Sequence, residues 1–333
     1  MQLARRLLIW LTVCAVYVAI GIPGLFELWF VTPLIVLLVV AQALEPRMRA
    51  RLVLGVITIF LAGTSIVLGI LMLVWPEAMT LSHEPYVGPS AISLISWGLL
   101  TLPCLIRRAR IHFFSALGLN KDSALHTTSA VMFVSTLVFC AGIFVLLMDE
   151  PGETIFLDLK DPVVSLLTDI PLALAGVGFL LRRDFKESLT RLGFSSMTLR
   201  EFVWVLVVTA LLLLAVTLFD LAEQLVLPEI YALEERFPMQ FRDVSPLLGI
   251  PAVSIVAGVG EEAVFRGALQ PRFGISLTAL LFAAVHVQYQ LPGIALIFVI
   301  GIVLGVMRKR RSTTFTACVH MVYDIAAFSL PDF

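Results

Sequence analysis

Residues 248–271, with the sequence LGIPAVSIVAGVGEEAVFRGALQP, place three ionisable side chains in a stretch that is otherwise apolar. A bilayer core is crossed by about 20 apolar residues in a helix, and an ionisable residue at its centre costs about 2.5–3.5 kcal/mol. Glu261, Glu262 and Arg266 are therefore costly at this position. We expect them to face the interior of a helical bundle and to mark a functional site.

Helical geometry separates the two glutamates. Glu262 and Arg266 are four residues apart, so they lie about 40° from each other around a helix, which is the spacing of an ion pair. Glu261 lies about 140° from Arg266 and points elsewhere. We interpret Glu262 and Arg266 as structural support and Glu261 as the carboxylate that is free for chemistry.

The composition of the whole chain is that of a membrane protein. Of the 333 residues, 59% are hydrophobic and only 14% are charged, whereas soluble domains are about half apolar and a quarter charged. The formal net charge of −1 argues against a nucleic-acid-binding protein. Disorder is excluded by the same hydrophobic content.

Apolar runs of roughly the length of a membrane span predict an all-α, polytopic transmembrane bundle of about 11 spans. The predicted spans are Leu7–Ile22, Trp29–Leu44, Leu52–Trp75, Ala91–Ile106, Ser129–Met148, Val163–Leu181, Phe202–Leu221, Leu248–Pro271, Ile275–Leu291, Pro292–Met307 and Ser312–Leu330. The loops on one side of the predicted bundle carry all Lys and Arg residues except four. Lys160, Arg236 and Arg242 fall in loops on the opposite side, and Arg266 falls inside a predicted span. By the positive-inside rule the N-terminus is cytoplasmic, and we predict a multi-pass protein of the cell membrane, the bacterial inner membrane or its equivalent.

Two further predicted spans carry histidine. One contains Phe282-x-x-x-His286, and the last contains His320-x-x-x-Asp324, whose two side chains share a helical face. Measured from the basic ends of their helices, Glu261, His286 and His320 lie about 15, 16 and 12 Å deep. We expect these side chains to meet in one hydrated pocket, which substrate reaches from the cytoplasmic side or laterally.

This set of side chains predicts hydrolysis, most naturally of an amide. Glu261 and His286 can hold and deprotonate a water molecule, and His320 can donate to the oxyanion that forms. Glu261, His286 and His320 are also a possible zinc ligand set, so a metal is neither required nor excluded at this point. The sequence contains no serine nucleophile elbow, His-Glu-x-x-His motif or phosphate-binding glycine loop. We therefore expect a peptide or membrane-protein substrate in the lipid bilayer, and neither nucleic acid nor nucleotide.

The ordered trio of motifs resembles the signature of the CPBP intramembrane protease family, which includes the Rce1-type CAAX prenyl endopeptidases and the bacterial Abi-type proteins linked to bacteriocin self-immunity. The resemblance implies a glutamic endopeptidase in which Glu261 and His286 activate water and His320, with Asp324, stabilises the oxyanion. It implies a supporting role for Glu262, Arg266 and Phe282. The CAAX endopeptidases have asparagine where this chain has Asp324, so Asp324 is either protonated, or orients His320, or binds a metal.

The resemblance predicts two parts of the chain: transmembrane helices of unassigned role in residues 1–185, and a protease domain in residues 186–333. Two other functions fit the same polar core. One is a non-proteolytic immunity or scaffold protein, and the other is a proton-coupled transporter, since buried acids, Arg and His also mark proton relays.

Overall fold

The computed structural model describes residues 2–21, 27–45, 48–74, 87–149, 162–234 and 247–329. Within these ranges the chain is helical, and an isolated bridge between Phe179 and Arg183 is the β-type pairing present. The α-helices, in order, are α1 (Gln2–Gly21), α2 (Glu27–Leu44), α3 (Met48–Val74), α4 (Val87–Leu105), α5 (Arg107–Ala116), α6 (Ala124–Asp149), α7 (Pro162–Val177), α8 (Phe185–Leu192), α9 (Leu199–Val226), α10 (Pro228–Glu234), α11 (Gly249–Glu262), α12 (Gln270–Ala284), α13 (Leu291–Arg310) and α14 (Thr313–Ser329). The predicted all-α fold class is confirmed for the ranges given.

Every predicted span overlaps a helix of the described ranges, but only some of these helices are long and apolar enough to cross a membrane by themselves. Among the residues described, four meet that condition: Gly88–Leu105, Ala124–Val145, Leu199–Val226 and Leu291–Arg310. Shorter apolar helices are Val31–Leu44, Thr58–Val74 and Leu166–Val177. The count of about 11 spans and the cytoplasmic N-terminus stay predictions.

The chain forms two compact units, one made of Met1–Val36 and Phe156–Phe333 and the other of Leu37–Ile155. In the second unit α3 packs closely on α4, because Gly98 has no side chain to hold the helices apart: a Cβ there would lie 2.6 Å from the carbonyl oxygen of Ala62. In the first unit a hydrogen bond joins α1 to α7: the Tyr17 hydroxyl donates to the carbonyl of Leu167 (2.5 Å). The predicted division at residue 185 stays a prediction, and the unit that contains the motifs also contains α1 and α7.

Local sequence signals set the ends of the helices that carry the motifs. Asp184 begins α8 in a capping box with Glu187. Gly193 ends α8 with φ at +86°, a left-handed conformation that glycine adopts without strain. Thr313 at the start of α14 donates its backbone N–H to the Gly193 carbonyl (2.9 Å). The end of α8 is therefore bonded to the start of the last helix.

Close packing in the first unit brings the motif helices together. α11 packs against α7 and α14, α12 against α13, and α9 against α14. A Cβ at Gly258 of α11 would lie 3.0 Å from the backbone nitrogen of Met321 and 3.1 Å from the carbonyl oxygen of Ala317, so this glycine allows α11 to approach α14. A core of apolar side chains joins α9, α13 and α14: Val205, Leu212, Leu304, Phe315 and Val319.

The sequence predicted one α-helix over residues 248–271, and this prediction is wrong. α11 ends at Glu262, Ala263–Leu269 form a π-helix, and α12 follows with a break at Gly274, where φ is +76°. Arginines donate to carbonyls of the π-helix: Arg308 to that of Arg266 (3.1 Å) and Arg272 to that of Ala268 (2.6 Å). Apolar periodicity over seven residues does not distinguish π from α winding, and π segments are frequent at functional sites.

Candidate active site

A cavity of about 310 Å³ lies among α9, α11, α13, α14 and the turn after α12. Its walls contain all four residues that the sequence predicted as catalytic: Glu261, His286, His320 and Asp324. These residues come from three separate segments of the chain. The structure thus brings together the side chains that the motifs separate in sequence.

The two adjacent glutamates occupy different surroundings, as the helical spacing predicted. Glu262 and Arg266 are both fully buried and form an ion pair with 3.0 Å between Oε1 and a terminal guanidinium nitrogen. Glu261 lines the cavity, and its Oε2 has no hydrogen-bond partner among the residues described. The structural pair and the carboxylate open to chemistry are therefore distinct groups.

The sequence predicted His286 within a helix, but it lies in the turn that follows α12. The helix ends at Ala284, whose neighbour Val285 still bonds back to Leu281. The His286 ring nitrogen Nδ1 lies 2.7 Å from the carbonyl oxygen of Phe282. A carbonyl accepts only, so Nδ1 carries the proton and Nε2 keeps a lone pair, which is the tautomer a general base requires.

His320 lies between two carboxylates. Its Nδ1 is 3.3 Å from Glu262 Oε1, and its Nε2 is 3.6 Å from Asp324 Oδ2. Both ring nitrogens can donate at once only when the imidazole carries two protons. The contact with Asp324 confirms the predicted shared face, whereas the contact with Glu262 was not predicted.

Phe282 joins the ion pair to both histidines. Its ring lies 4.1 Å from the Cζ atom of Arg266, with ring centroids 4.8 Å from His286 and 6.1 Å from His320. Only 3% of the side chain is exposed. The ring face of Phe282 thus contacts a buried cation, and its backbone carbonyl accepts from His286. The supporting role of Phe282 stays a prediction.

Asp169 of α7 lies beside the site, next to Gly260, and no sequence pattern predicted this position. A Cβ at Gly260 would be 2.8 Å from Asp169 Oδ2, so the carboxyl group packs directly on the backbone beside Glu261. The two carboxyl groups are close enough to repel each other. In sequence, Asp169 only interrupts the apolar run of the sixth predicted span, which gives no information about which helix it meets.

The cavity extends along its helices away from their basic ends. Substrate entry from the cytoplasmic side or laterally stays a prediction. The wall of the cavity runs along the second half of α9, the first half of α13 and the second half of α14, and includes Asp220, Glu223 and Glu234. Arg200 begins α9 at the other end, and Arg308–Arg311 end α13 there. Depth measured along a helix locates a residue but does not tell in which direction the space beside it opens.

The donor set does not fit the zinc ion that the sequence left open. No group of three His, Cys, Asp or Glu side chains is placed to hold a metal in the ranges described. The Nδ1 atom of His320 lies 3.3 Å from Glu262 Oε1, so a carboxylate already engages this nitrogen. We derive no step through a metal.

Comparison with family models identifies the part of the chain that carries the motifs. Residues 243–326 match the Rce1-like family. The description of that family is type II CAAX prenyl endopeptidase Rce1-like, and the match confirms the resemblance drawn from the motifs. No curated protein and no solved structure matches the chain. The Rce1-like segment covers α11 to α14, so the cavity-lining acids of α9 and α10, and Asp169 of α7, lie outside it.

Proposed function

We propose that this chain is an intramembrane endopeptidase that hydrolyses a peptide bond with a water molecule activated by Glu261 and His286. The observation that carries the proposal is that Glu261, His286 and His320 line one cavity, with the His286 tautomer set by the Phe282 carbonyl. The match to a CAAX prenyl endopeptidase family supports the same reaction class. Apolar helices long enough to cross a membrane support its location in a bilayer.

The proposed reaction uses water and no other co-reactant. Water gives a proton to the Glu261–His286 pair while its oxygen bonds to the carbonyl carbon, and the carbonyl π electrons move to oxygen. The Nε2–H of His320 donates to this oxyanion, because its 3.6 Å separation from Asp324 Oδ2 is too long for a hydrogen bond. Glu262 accepts from Nδ1, and the two carboxylates together favour the doubly protonated imidazole. Collapse restores the C=O bond and breaks the C–N bond, and the stored proton passes to the leaving nitrogen. The products are a carboxylic acid and an amine.

Asp324 acts in this scheme by orienting His320. Its Oδ2 faces Nε2, the ring nitrogen opposite the one that faces Glu262. An ionised carboxylate placed directly beside the oxyanion would repel it, whereas one that holds the imidazolium stabilises it through the ring. The aspartate of this chain is thus compatible with the reaction that its family performs with asparagine.

Comparative peptide profiling of membranes tests the activity without a known substrate. Peptides that appear with wild type and not with Glu261→Gln identify cleavage sites, and one of them then serves as substrate for purified protein. We expect Glu261→Gln and His286→Asn to lower turnover by roughly 100-fold or more, because proton transfer by a positioned group contributes about 10²–10⁴-fold. Glu229→Gln, at an exposed position on α10, is the matched control and should retain wild-type turnover.

Wild-type rates of cleavage by Glu261→Gln on that substrate would refute the assignment of the water-activating pair. A transporter would instead lose flux in the same variant, with no difference between the peptide profiles. A scaffold protein would show neither change.

A further inference from the structure

The end of the cavity away from the catalytic groups is acidic. Its ionisable side chains are Asp220 and Glu223 of α9 and Glu234 of α10, and no Lys or Arg lines the cavity among the residues described. Asp220 and Glu223 are three residues apart, so they lie on one face of α9. The charge of this region is therefore not balanced by its own walls.

Glu223 is a buried carboxylate of this acidic region with an oxygen that lacks a hydrogen-bond partner in the described part of the chain. It is 5% exposed and lines the cavity, and this oxygen is its Oε1. Leaving a buried carboxylate oxygen unpaired is costly, and the cost is larger in a low-dielectric surrounding. A group that enters the cavity and carries N–H donors would remove it.

Glu234 adds negative charge next to Glu223. Its Oε1 accepts the backbone N–H groups of Gln290 (2.7 Å) and Gly293 (3.2 Å) at the start of α13. Burial and the neighbouring Glu223 carboxylate raise the pKa of Glu234 to about 7, against the lowering effect of those two N–H groups. The two carboxyl groups are thus near enough to disfavour each other's ionised form, and a cation between them would relieve that repulsion.

We propose that Asp220, Glu223 and Glu234 form a subsite for a positively charged group of the substrate, either a Lys or Arg side chain or a free N-terminal amine. This inference rests on the proposed function, since it assigns the substrate class of the same cavity. An ammonium or guanidinium group supplies the donors that Glu223 lacks and neutralises the acidic wall.

The structure also sets the distance between this subsite and the bond that is cleaved. Glu234 contacts Gly293, and a Cβ at Gly301 would lie 3.4 Å from the ring of Phe282, which contacts both catalytic histidines. Gly293 and Gly301 are eight residues apart on α13, which corresponds to about 12 Å. An extended peptide covers about 12 Å with three or four residues. The positive charge therefore belongs three or four residues from the scissile bond.

Direct binding of labelled peptides tests the subsite independently of cleavage. Four versions of one fluorescent peptide carry lysine or its uncharged analogue norleucine, each with a free or an acetylated N-terminus, and bind to purified protein in lipid nanodiscs. The lysine arms and the free-amine arms separate the two sources of charge. We expect at least one charged version to bind about tenfold or more tightly than the doubly neutral peptide, and Glu223→Gln to remove most of that preference.

Glu229→Gln removes the same charge from an exposed position on the neighbouring helix and should leave the preference unchanged. Equal binding of all four peptides, or no binding of any, would overturn the subsite while leaving the cleavage assay of Glu261→Gln unaffected. Conversely, a charge preference that Glu223→Gln abolishes supports the subsite even when no peptide is cut.

Two arginines of the chain itself, Arg236 and Arg242, fall in the segment 235–246, which is outside the described residues. Arg236→Gln and Arg242→Gln show whether one of them is the cation. If either variant lowers thermal stability in wild type but not in a Glu223→Gln background, the cation belongs to the chain, and the substrate subsite is overturned. Additive effects in the double variants support a site open to substrate.

Discussion

Glu262→Gln is the substitution whose effect follows most directly from the geometry. It keeps the shape of the side chain and removes one negative charge that is 3.0 Å from Arg266 and 3.3 Å from His320. The relative exposure of Arg266 is 1%, so its guanidinium cannot recover the lost partner from water. Breaking a buried ion pair by removing one member costs about 3–5 kcal/mol.

The corresponding change at Glu261 should leave stability nearly intact. Glu261 Oε2 has no partner among the side chains described, so glutamine there breaks no hydrogen bond of that oxygen. Two isosteric substitutions at adjacent positions are thus expected to separate: Glu261→Gln abolishes turnover with little loss of stability, and Glu262→Gln lowers stability by several kcal/mol. For a unit of this size, 3–5 kcal/mol corresponds to a fall in Tm of about 6–20 °C.

Thermal unfolding followed by a thiol-reactive fluorogenic dye measures this difference. Cys14, Cys104 and Cys140 are buried free thiols that react when the surrounding helices open, and Cys14 reports on the unit that contains the site. The rescue variant Glu262→Gln/Arg266→Met removes both charges and should regain at least half of the lost Tm, because an uncharged pair leaves no isolated buried ion. A Glu262→Gln Tm within 2 °C of wild type, or an equal loss in Glu261→Gln, would refute the structural assignment of the pair.

Three further predictions concern the surroundings of the site. Phe282→Leu removes the ring that lies over Arg266. We expect this variant to lower turnover by about tenfold, measured by cleavage, and to lower stability by about 1–2 kcal/mol, measured by dye labelling during thermal unfolding. Gly258→Ala should lower the stability of the protein by about 1–3 kcal/mol, because the new methyl group meets the α14 backbone. Gly63→Ala, where a Cβ has no neighbour within 4 Å, should leave stability unchanged. Chemical denaturation of the two variants measures this difference. The folded-state pKa of Glu234 is raised from 4.5 to about 7, so the folded protein holds this proton more tightly and its stability should fall as pH rises from about 4.5 to 7. In Glu234→Gln, the dependence of Tm on pH should become flatter between about pH 4.5 and 7. The carboxylates of α9 titrate in both proteins and so contribute equally to both curves. An unchanged slope in the variant would contradict the raised pKa of Glu234.

The sequence predicted those features of the site that depend on neighbours along one helix. The separation of Glu261 from Glu262, the Glu262–Arg266 pair and the approach of His320 to Asp324 all follow from the angle of about 100° per residue. These relations hold whatever the rest of the bundle does, and the structure confirms each of them.

The sequence predicted that the three motif segments meet at one cavity, but not the individual contacts between helices. The bond between His320 and Glu262 requires α11 and α14 to approach closely, which Gly258 permits, and no spacing in the sequence shows this. Asp169 meets the site for the same reason, through the packing of α7 on α11. The end of α12 at Ala284 was missed because apolar residues continue past it, although His286 needs the turn to bond the Phe282 carbonyl.

Charge is distributed unequally along the cavity and its surroundings, and this asymmetry bears on how a substrate would be oriented. Arg272 and Arg308, which donate to the π-helix, lie toward the basic ends of the helices, and the acids of α9 and α10 lie toward the opposite ends. In a medium of low dielectric constant, such a separation favours a ligand whose positive end points to the acids and whose negative charge develops near the arginines. In the proposed reaction the oxyanion forms beside His320, on the side of Arg266, while the substrate cation rests against Glu223. The same field would then favour both the binding of a basic peptide in one direction and the charge of its transition state, and a neutral peptide would gain only the second effect.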